Sequence, residues 1–246
     1  MTARYFIAAF MAYISTPSFA DEVQVAVAAN FVGPMQKIAA LFEQSSGHKI
    51  RMSSGATGKF YAQIKNGAPF EVLLAADEQT PSRLEKKGLA TEPFTYAIGK
   101  LVLWSAKASF IDDKGEVLKT DRFTRLALAN PKLAPYGLAA SETLKILGVY
   151  EKLTPKFVTG ENIAQTYQFI GTGNAELGFI AMSQAFESGK LKNGSAWIVP
   201  PTFYSPIRQN AVLLSKGKNK PAAKALIQFL QSAPAKAIIN ASGYTI

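Results

Sequence analysis

The chain has 246 residues, a net charge of +10, a single histidine and no cysteine. The absence of cysteine excludes disulfides, thiol catalysis and cysteine-based metal sites. Because the basic residues are scattered, with no run of five or more, the charge favours attraction of a small anion or an acidic membrane surface over nucleic-acid binding.

Residues 1–20, MTARYFIAAFMAYISTPSFA, have the pattern of a secretory signal peptide. Arg4 precedes an apolar run at 5–14, and Ser18-Phe19-Ala20 resembles a cleavage site. The run is too short and wrongly flanked for a membrane span. The sequence therefore predicts a soluble periplasmic protein that is exported with a cleavable signal. A lipoprotein is excluded, since no cysteine is available for acylation.

Short apolar runs typical of strands alternate with helical patterns along the mature chain. In chain order we predict a strand at 23–28, a helix at 33–45, a strand at 49–53, a helix at 59–66, a strand at 71–75 and a short helix at 81–87. A long strand-like run at 96–105 follows. The next predicted elements are a strand at 126–129, a helix at 137–147, a strand at 156–158, a helix at 162–171, a strand at 177–181 and a helix from Ser183. A second long run at 207–215 precedes amphipathic helices at 221–232 and 234–241.

This alternation predicts an α/β fold of two lobes, each a mixed or mostly parallel sheet flanked by helices. The two long runs bracket an inserted α/β unit, so two crossing strands are expected to join the lobes. The predicted boundaries are a signal peptide at 1–20, a first lobe at 21–100 plus 207–246, and a second lobe at 101–206. Trp104 and Trp197 are expected to pack in a core or hinge.

The segment RMSSGATGKFYAQI, residues 51–64, resembles the end of a nucleotide-binding phosphate loop. That loop needs a glycine where Ser53 stands and a hydroxyl where Phe60 stands. A nucleotide site is therefore excluded. What remains is a turn of small residues leading into a helix, which is suited to binding an anion.

Turns of this kind recur where an apolar strand ends and a helix begins. They are found at 29–33, 54–58, 135–137 and 160–163. Each presents backbone N–H groups at the positive end of a helix dipole, and two belong to each predicted lobe. Since ligands of open α/β sheets bind at the carboxyl ends of strands, all four turns are expected to face one cleft.

Catalysis has weak candidates. The lone His48 follows the glycine that ends a predicted helix. Asp77-Glu78 follows a strand, and a stabilising negative charge at a helix N-terminus explains these two carboxylates without catalysis. No nucleophile elbow of the G-x-S-x-G type and no metal-ligand motif occurs. A secreted enzyme using these groups remains the alternative from another class, and we expect no enzyme, no metal ion and no cofactor.

The sequence resembles the periplasmic molybdate-binding proteins of ABC importers, which have the type II periplasmic binding fold. The resemblance spans the mature chain and is carried by AANFVGPMQKIAALFEQSSGHKI, SSGATGKFYAQIKNGAPFEVLLAADEQTPSRLEKKGLA, FTYAIGKLVLWSAK, LALANPKLAPYGLAASETLKILG, LGFIAMSQA and GYTI. It implies a monomer that binds molybdate, and tungstate too, between its lobes through neutral hydrogen bonds and passes it to a membrane ABC permease.

The resemblance also implies a set of ligand-binding residues. The backbone of Ala29 with Asn30 supplies the first donors, and Thr57 supplies a hydroxyl and an N–H. Tyr136 and Ile163 donate backbone N–H groups, so Tyr136→Phe is expected to be nearly silent. Relatives of this kind often carry Ser or Thr where Ala29 stands, which leaves open a receptor for sulfate, another oxyanion or a small organic anion.

Overall fold

The structure is a computed structural model that describes residues 21–246. The predicted signal peptide at 1–20 lies outside the described residues. Within residues 21–246, no helix has the length and apolar character needed to cross a membrane.

The described chain forms two five-stranded sheets and a short two-stranded ladder. In chain order the strands are β1 (Glu22–Ala28), β2 (Lys49–Gly55), β3 (Val72–Leu74), β4 (Ala90–Gly99), β5 (Leu101–Ser105), β6 (Leu126–Ala129), β7 (Phe157–Gly160), β8 (Leu177–Ala181), β9 (Phe186–Glu187), β10 (Lys190–Leu191), β11 (Ser195–Ile198) and β12 (Ile207–Leu214). The first sheet has the order β2-β1-β3-β12-β4 and the second β11-β5-β8-β6-β7. Both are mixed, because β12 runs antiparallel in the first sheet and β5 in the second.

Helices cover both sheets, as predicted for a two-lobe α/β protein. They are α1 (Val32–Ser46), α2 (Thr57–Lys65), α3 (Gln79–Glu85), α4 (Pro135–Ile146), α5 (Tyr150–Leu153), α6 (Ile163–Gly171), α7 (Met182–Ala185), α8 (Pro221–Leu230) and α9 (Ala233–Ala241). We call each sheet with its covering helices a lobe, the first built on β1 and the second on β6.

The cores follow from the two-residue period of the strands. In β1, the side chains of Val23, Val25 and Val27 pack with α1, α8 and α9, whereas Ala26 faces the core beneath α2 and α3. The second lobe is built in the same way, with α4 and α6 on opposite faces of its sheet. Trp104 and Trp197 are both buried in the second lobe, as expected.

The chain passes between the sheets twice, first at Lys100 and again along residues 199–206. The first passage corrects a prediction, because the run at 96–105 is not one long strand. It divides at Lys100 into β4 and β5, which belong to different sheets. Gly99-Lys100 interrupts the run at this break, but the apolar residues on both sides are buried in their own lobes, so the run resembles one strand. The run predicted at 207–215 is a single strand, β12.

The sequence pattern missed β11, which pairs antiparallel with β5 at the edge of the second sheet. Only four residues long and preceded by Lys, Asn and Gly, it has the local composition of a loop. Its pairing partner lies about 90 residues earlier in the chain, so nearby residues give no signal of it.

Candidate functional site

One small cavity lies where the two lobes meet, at the carboxyl ends of β1 and β2 and the N-termini of α4 and α6. Its lining residues are Ala28, Ala29, Asn30, Gly55, Ala56, Thr57, Ala76, Ala134, Pro135, Tyr136, Asn162 and Ile163. The five residues predicted to bind ligand are all among them. The cavity is small, with about 10 Å³ open to the centre of a water-sized sphere, so it suits only a small ligand.

Thr57 reaches the cavity from the first turn of α2. This helix begins at Thr57, two residues before the predicted start, so the Thr57 N–H belongs to the unpaired first turn. The side chain is 1% exposed, and its Oγ1 accepts the N–H of Ala76 at 2.9 Å. That bond orients the hydroxyl and leaves its proton free to donate.

The side-chain amide of Asn30 is not free to donate hydrogen bonds to a ligand. Its Nδ2 donates to Gln209 Oε1 at 2.8 Å and to the Tyr244 hydroxyl at 3.0 Å. Since an amide nitrogen has two protons, both are used within the protein. Only the backbone of Asn30 and Ala29, in the 3₁₀ turn that follows β1, is left to face the cavity as a donor.

The second lobe supplies the N-termini of α4 and α6. Pro135 is the first residue of α4, where its missing N–H costs nothing, and Tyr136 follows. A Cβ on the next residue, Gly137, would lie 2.1 Å from the Ala129 carbonyl oxygen, so glycine is required for this close helix–strand contact. The sequence therefore directs the start of α4 at the cavity.

The start of α6 leaves one particular N–H group free. The Asn162 side chain caps the helix by accepting the N–H groups of Ala164 and Gln165 at 2.9 and 3.0 Å. Ile163, between the cap and those donors, has no acceptor for its own N–H in residues 21–246, and neither do Thr57 and Tyr136. The cavity thus collects unpaired N–H groups from both lobes.

The electrostatics of this site come from dipoles and neutral groups. No Lys, Arg, Asp or Glu is among the residues that line the cavity. Burial raises the pKa of Tyr136 well above 10, so its hydroxyl stays neutral at ordinary pH. The helix N-termini provide a partial positive charge without a titrating cation. Such an arrangement is suited to binding a small anion.

The groups considered for catalysis lie elsewhere. His48 precedes β2 and Thr57 follows it, so the seven-residue strand separates them by about 23 Å. The His48 Nδ1 accepts the Asp21 N–H at 3.3 Å, a contact at the amino ends of β1 and β2. The Asp77 carboxylate accepts the N–H of Thr80 at 2.7 Å. That bond caps the start of α3, which is the structural role predicted for Asp77.

A larger groove, with about 510 Å³ open to water-sized spheres, runs beside the cavity and opens to solvent. Charged side chains of both signs line it, among them Asp77, Arg83 and Arg208. We assign the candidate site to the smaller cavity, because only there do unpaired N–H groups of both lobes converge.

Sequence reasoning missed the polar side chains behind the cavity. Gln209, Tyr96 and Tyr244 are buried around Asn30. The Asn30 amide donates to Gln209 and Tyr244, and the Tyr96 hydroxyl donates to Gln209. One signal was available: in β12, IRQNAVLL, the alternation places Gln209 on the same face as the buried Ile207 and Ala211. A polar residue on a buried face needs partners, and these are contributed by distant parts of the chain.

Comparisons with known proteins agree with this architecture. A model of the family described as "Bacterial extracellular solute-binding protein" matches residues 23–245. The molybdate-binding protein ModA of Azotobacter vinelandii is 57% identical over 227 residues, 92% of this chain and 90% of that protein. ModA of Rhodobacter capsulatus is 51% identical, covering 94% and 91% of the two chains. The solved periplasmic molybdate-binding protein of Azotobacter vinelandii superposes with a TM-score of 0.88 at 40% identity, covering 91% of this chain and 99% of that one. The chain therefore belongs to the bacterial extracellular solute-binding proteins and, within them, to the family of the molybdate-binding protein ModA.

Proposed function

We propose that this protein captures molybdate in the cavity between its lobes and delivers it to a membrane ABC permease. The observation that carries the proposal is a small inter-lobe cavity that offers hydrogen-bond donors from both lobes and contains no charged side chain. A small dianion satisfies those donors and the dipoles of the helix N-termini. The choice of molybdate is supported by the relatives, which are named for that ligand.

Neutral donors suffice for useful affinity. The N–H groups of Ala29, Asn30, Thr57, Tyr136 and Ile163, together with the Thr57 hydroxyl, make six candidate donors. At about 1.5–3 kcal/mol for each hydrogen bond to a charged group, they contribute roughly 9–18 kcal/mol. Association costs on the order of 4–15 kcal/mol, so a dissociation constant in the micromolar range or below is reasonable.

Selectivity is proposed to follow from size and protonation state. A protonated oxyanion brings an O–H that finds no acceptor in a ring of donors, so a fully deprotonated dianion is favoured. A smaller dianion such as sulfate leaves donors unpaired, at about 1–3 kcal/mol each. Tungstate has the same charge and tetrahedral shape as molybdate, and we propose that it binds as well.

The methyl group of Ala29 supports one alternative ligand class. Ala29 lines the cavity, and its methyl group offers no hydrogen-bond donor where serine or threonine would add a hydroxyl. With fewer donors the preference for molybdate over sulfate, or over a small organic anion, is narrower. A receptor for one of these anions is therefore the second candidate function.

We further propose that the protein works in the periplasm as a monomer and performs no chemistry on its ligand. The family is one of extracellular binding proteins. The single histidine lies at the amino end of β2 and the cavity lies at its carboxyl end, so the histidine offers the ligand neither an acid nor a base.

A thermal-shift screen of the mature chain tests the proposal. At a ligand concentration about 100 times the dissociation constant, binding stabilises the folded state by about 2.7 kcal/mol. For a chain of this size that corresponds to a rise in Tm of roughly 5–10 °C. We expect such a rise with molybdate and tungstate and a smaller one with sulfate. If only sulfate or an organic anion raises the Tm, that anion and not molybdate is the ligand.

A further inference from the structure

We propose that Gln209 is a positioning residue that couples closure of the two lobes to capture of the oxyanion. The inference rests on the proposed function of the cavity, which Gln209 does not itself line. Gln209 is completely buried in β12, two residues after the chain returns to the first sheet.

The side chain of Gln209 bonds to one ligand-site residue from each lobe. Its Oε1 accepts Nδ2 of Asn30 at 2.8 Å, and its Nε2 donates to the hydroxyl of Tyr136 at 3.2 Å. Both Asn30 and Tyr136 line the cavity. The Gln209 amide therefore fixes the relative positions of donor residues on opposite sides of the ligand.

The bonds of Gln209 differ in whether they cross between the lobes. The bond to Asn30 lies within the first lobe, as does a bond of 3.1 Å from the Tyr96 hydroxyl to Gln209 Oε1. Tyr136 lies on α4, which packs in the second lobe. Opening the cleft therefore breaks the Gln209–Tyr136 bond and leaves the other two intact.

Gly99, beside the first passage between the sheets, makes this contact sterically possible. A Cβ at Gly99 would lie 2.1 Å from the Tyr136 hydroxyl oxygen and 2.8 Å from Gln209 Nε2. The chain thus has no side chain at the point where the second-lobe hydroxyl enters the first lobe. Glycine at this position therefore allows the cross-lobe bond to form.

A bond present only in the closed state contributes to ligand affinity. Without the Tyr136 hydroxyl, Gln209 Nε2 is buried without an acceptor in the closed state but reaches water in the open state. The closed state then becomes less favourable, and the apparent dissociation constant rises. The expectation of a nearly silent Tyr136→Phe substitution is thereby replaced by one of weakened binding.

The test compares Tyr136→Phe with Tyr96→Phe in the mature chain. Each substitution removes one buried hydroxyl bonded to Gln209, but only the first bond crosses between the lobes. Molybdate dissociation constants come from calorimetric titration, and the stability of the ligand-free protein comes from thermal unfolding. We expect Tyr136→Phe to weaken molybdate binding about tenfold with little change in ligand-free Tm. We expect Tyr96→Phe to lower the ligand-free Tm and to leave the dissociation constant within about twofold.

A double-substitution cycle adds a second readout. The effects of Tyr136→Phe and Gln209→Met on the dissociation constant should be non-additive, because they remove the same cross-lobe bond. If the wild-type protein and the Tyr136→Phe variant bind molybdate equally well, the proposed role of Gln209 is wrong. Wild-type protein that binds no molybdate would instead overturn the proposed function, so the two failures are distinguishable.

Discussion

Lys59 and Glu161 join the two lobes at the rim of the cavity, with the Lys59 Nζ 2.5 Å from a Glu161 carboxylate oxygen. Lys59 follows Thr57 by two residues and Glu161 precedes Ile163 by two, so the pair spans the two sides of the site. The lysine of the GATGK segment therefore does not hold a phosphate. It contacts the opposite lobe beside the site.

Removing this ion pair should have a small effect on affinity that depends on salt. Both side chains are nearly half exposed, and exposed pairs are worth about 0.2–1 kcal/mol. We expect Lys59→Met and Glu161→Gln each to weaken oxyanion binding less than about fivefold. In ~1 M salt, where charges are screened beyond about 3 Å, the difference from wild type should disappear.

Lys49→Met provides the matched control for that experiment. It breaks an ion pair of similar length, 3.0 Å to Glu43, which lies entirely within the first lobe. Its affinity for oxyanion should equal that of the wild type. An equal loss in both lysine variants would show that the general positive charge, and not the contact between lobes, is responsible.

Thr57→Val should weaken oxyanion binding strongly. The substitution keeps the shape of the side chain but removes the hydroxyl donor, and it leaves the Ala76 N–H without its acceptor. A hydrogen bond to a charged ligand is worth about 1.5–3 kcal/mol, so the dissociation constant should rise roughly 10- to 100-fold. Calorimetric titration measures it.

Thr57→Ser is the control for Thr57→Val, because serine keeps the hydroxyl at the same position. It should bind within a few-fold of the wild type. If Thr57→Val binds as well as Thr57→Ser, the Thr57 hydroxyl serves only to bond Ala76, and the donor assignment is wrong at this residue.

Ala29→Ser should tighten binding by placing a hydroxyl in the cavity. Ala29 lines the cavity, and serine differs from alanine by a single oxygen. One more donor to a charged ligand is worth about 1.5–3 kcal/mol at best, a gain of at most about 100-fold. Competition between molybdate and sulfate measures the change in selectivity. Unchanged affinity for both would show that residue 29 contributes only its backbone.

The buried tyrosines predict the response of the ligand-free protein to alkaline pH. Burial raises the pKa of Tyr96 and Tyr136 well above 10, and that of Tyr244 to about 12. A raised pKa means that the folded state holds its proton more tightly than the unfolded state. The resulting stability is fully present below pH 10 and is lost as the pH rises towards 12.

Urea unfolding followed from pH 8 to pH 12 should therefore show a flat free energy of unfolding up to about pH 10 and a decline above it. Absorbance of tyrosinate in the folded protein supplies an independent check. If every tyrosine of the folded chain titrates near pH 10, the buried hydroxyls are reached by solvent and the hydrogen-bond network around Gln209 is wrong.

Much of the candidate site could be predicted from short stretches of sequence. The turn before α2 and the start of α6 are local signals, because a strand followed by small residues or an Asn cap determines where N–H groups are left unpaired. Helix bounds are harder to predict: α2 begins at Thr57, two residues before the predicted start. That shift moves the N–H of Thr57 into the free first turn.

The rest depends on contacts between residues far apart in the chain. The bond between Asn30 and Gln209 spans 179 positions, and the bond between Asn30 and Tyr244 spans 214. No local pattern shows that these partners already use both amide protons of Asn30. For the same reason, the local pattern predicted only a backbone role for Tyr136, although its hydroxyl contacts the opposite lobe.

We propose that a ring of neutral donors between the two lobes binds molybdate. Calorimetric titration of the ligand-free mature chain with molybdate, in the presence and absence of excess sulfate, tests it most directly. We expect saturable binding of one molybdate per chain, with a dissociation constant in the micromolar range or below that sulfate raises only slightly. No measurable binding of molybdate or tungstate at ~100 µM, together with clear binding of sulfate or an organic anion, would contradict it.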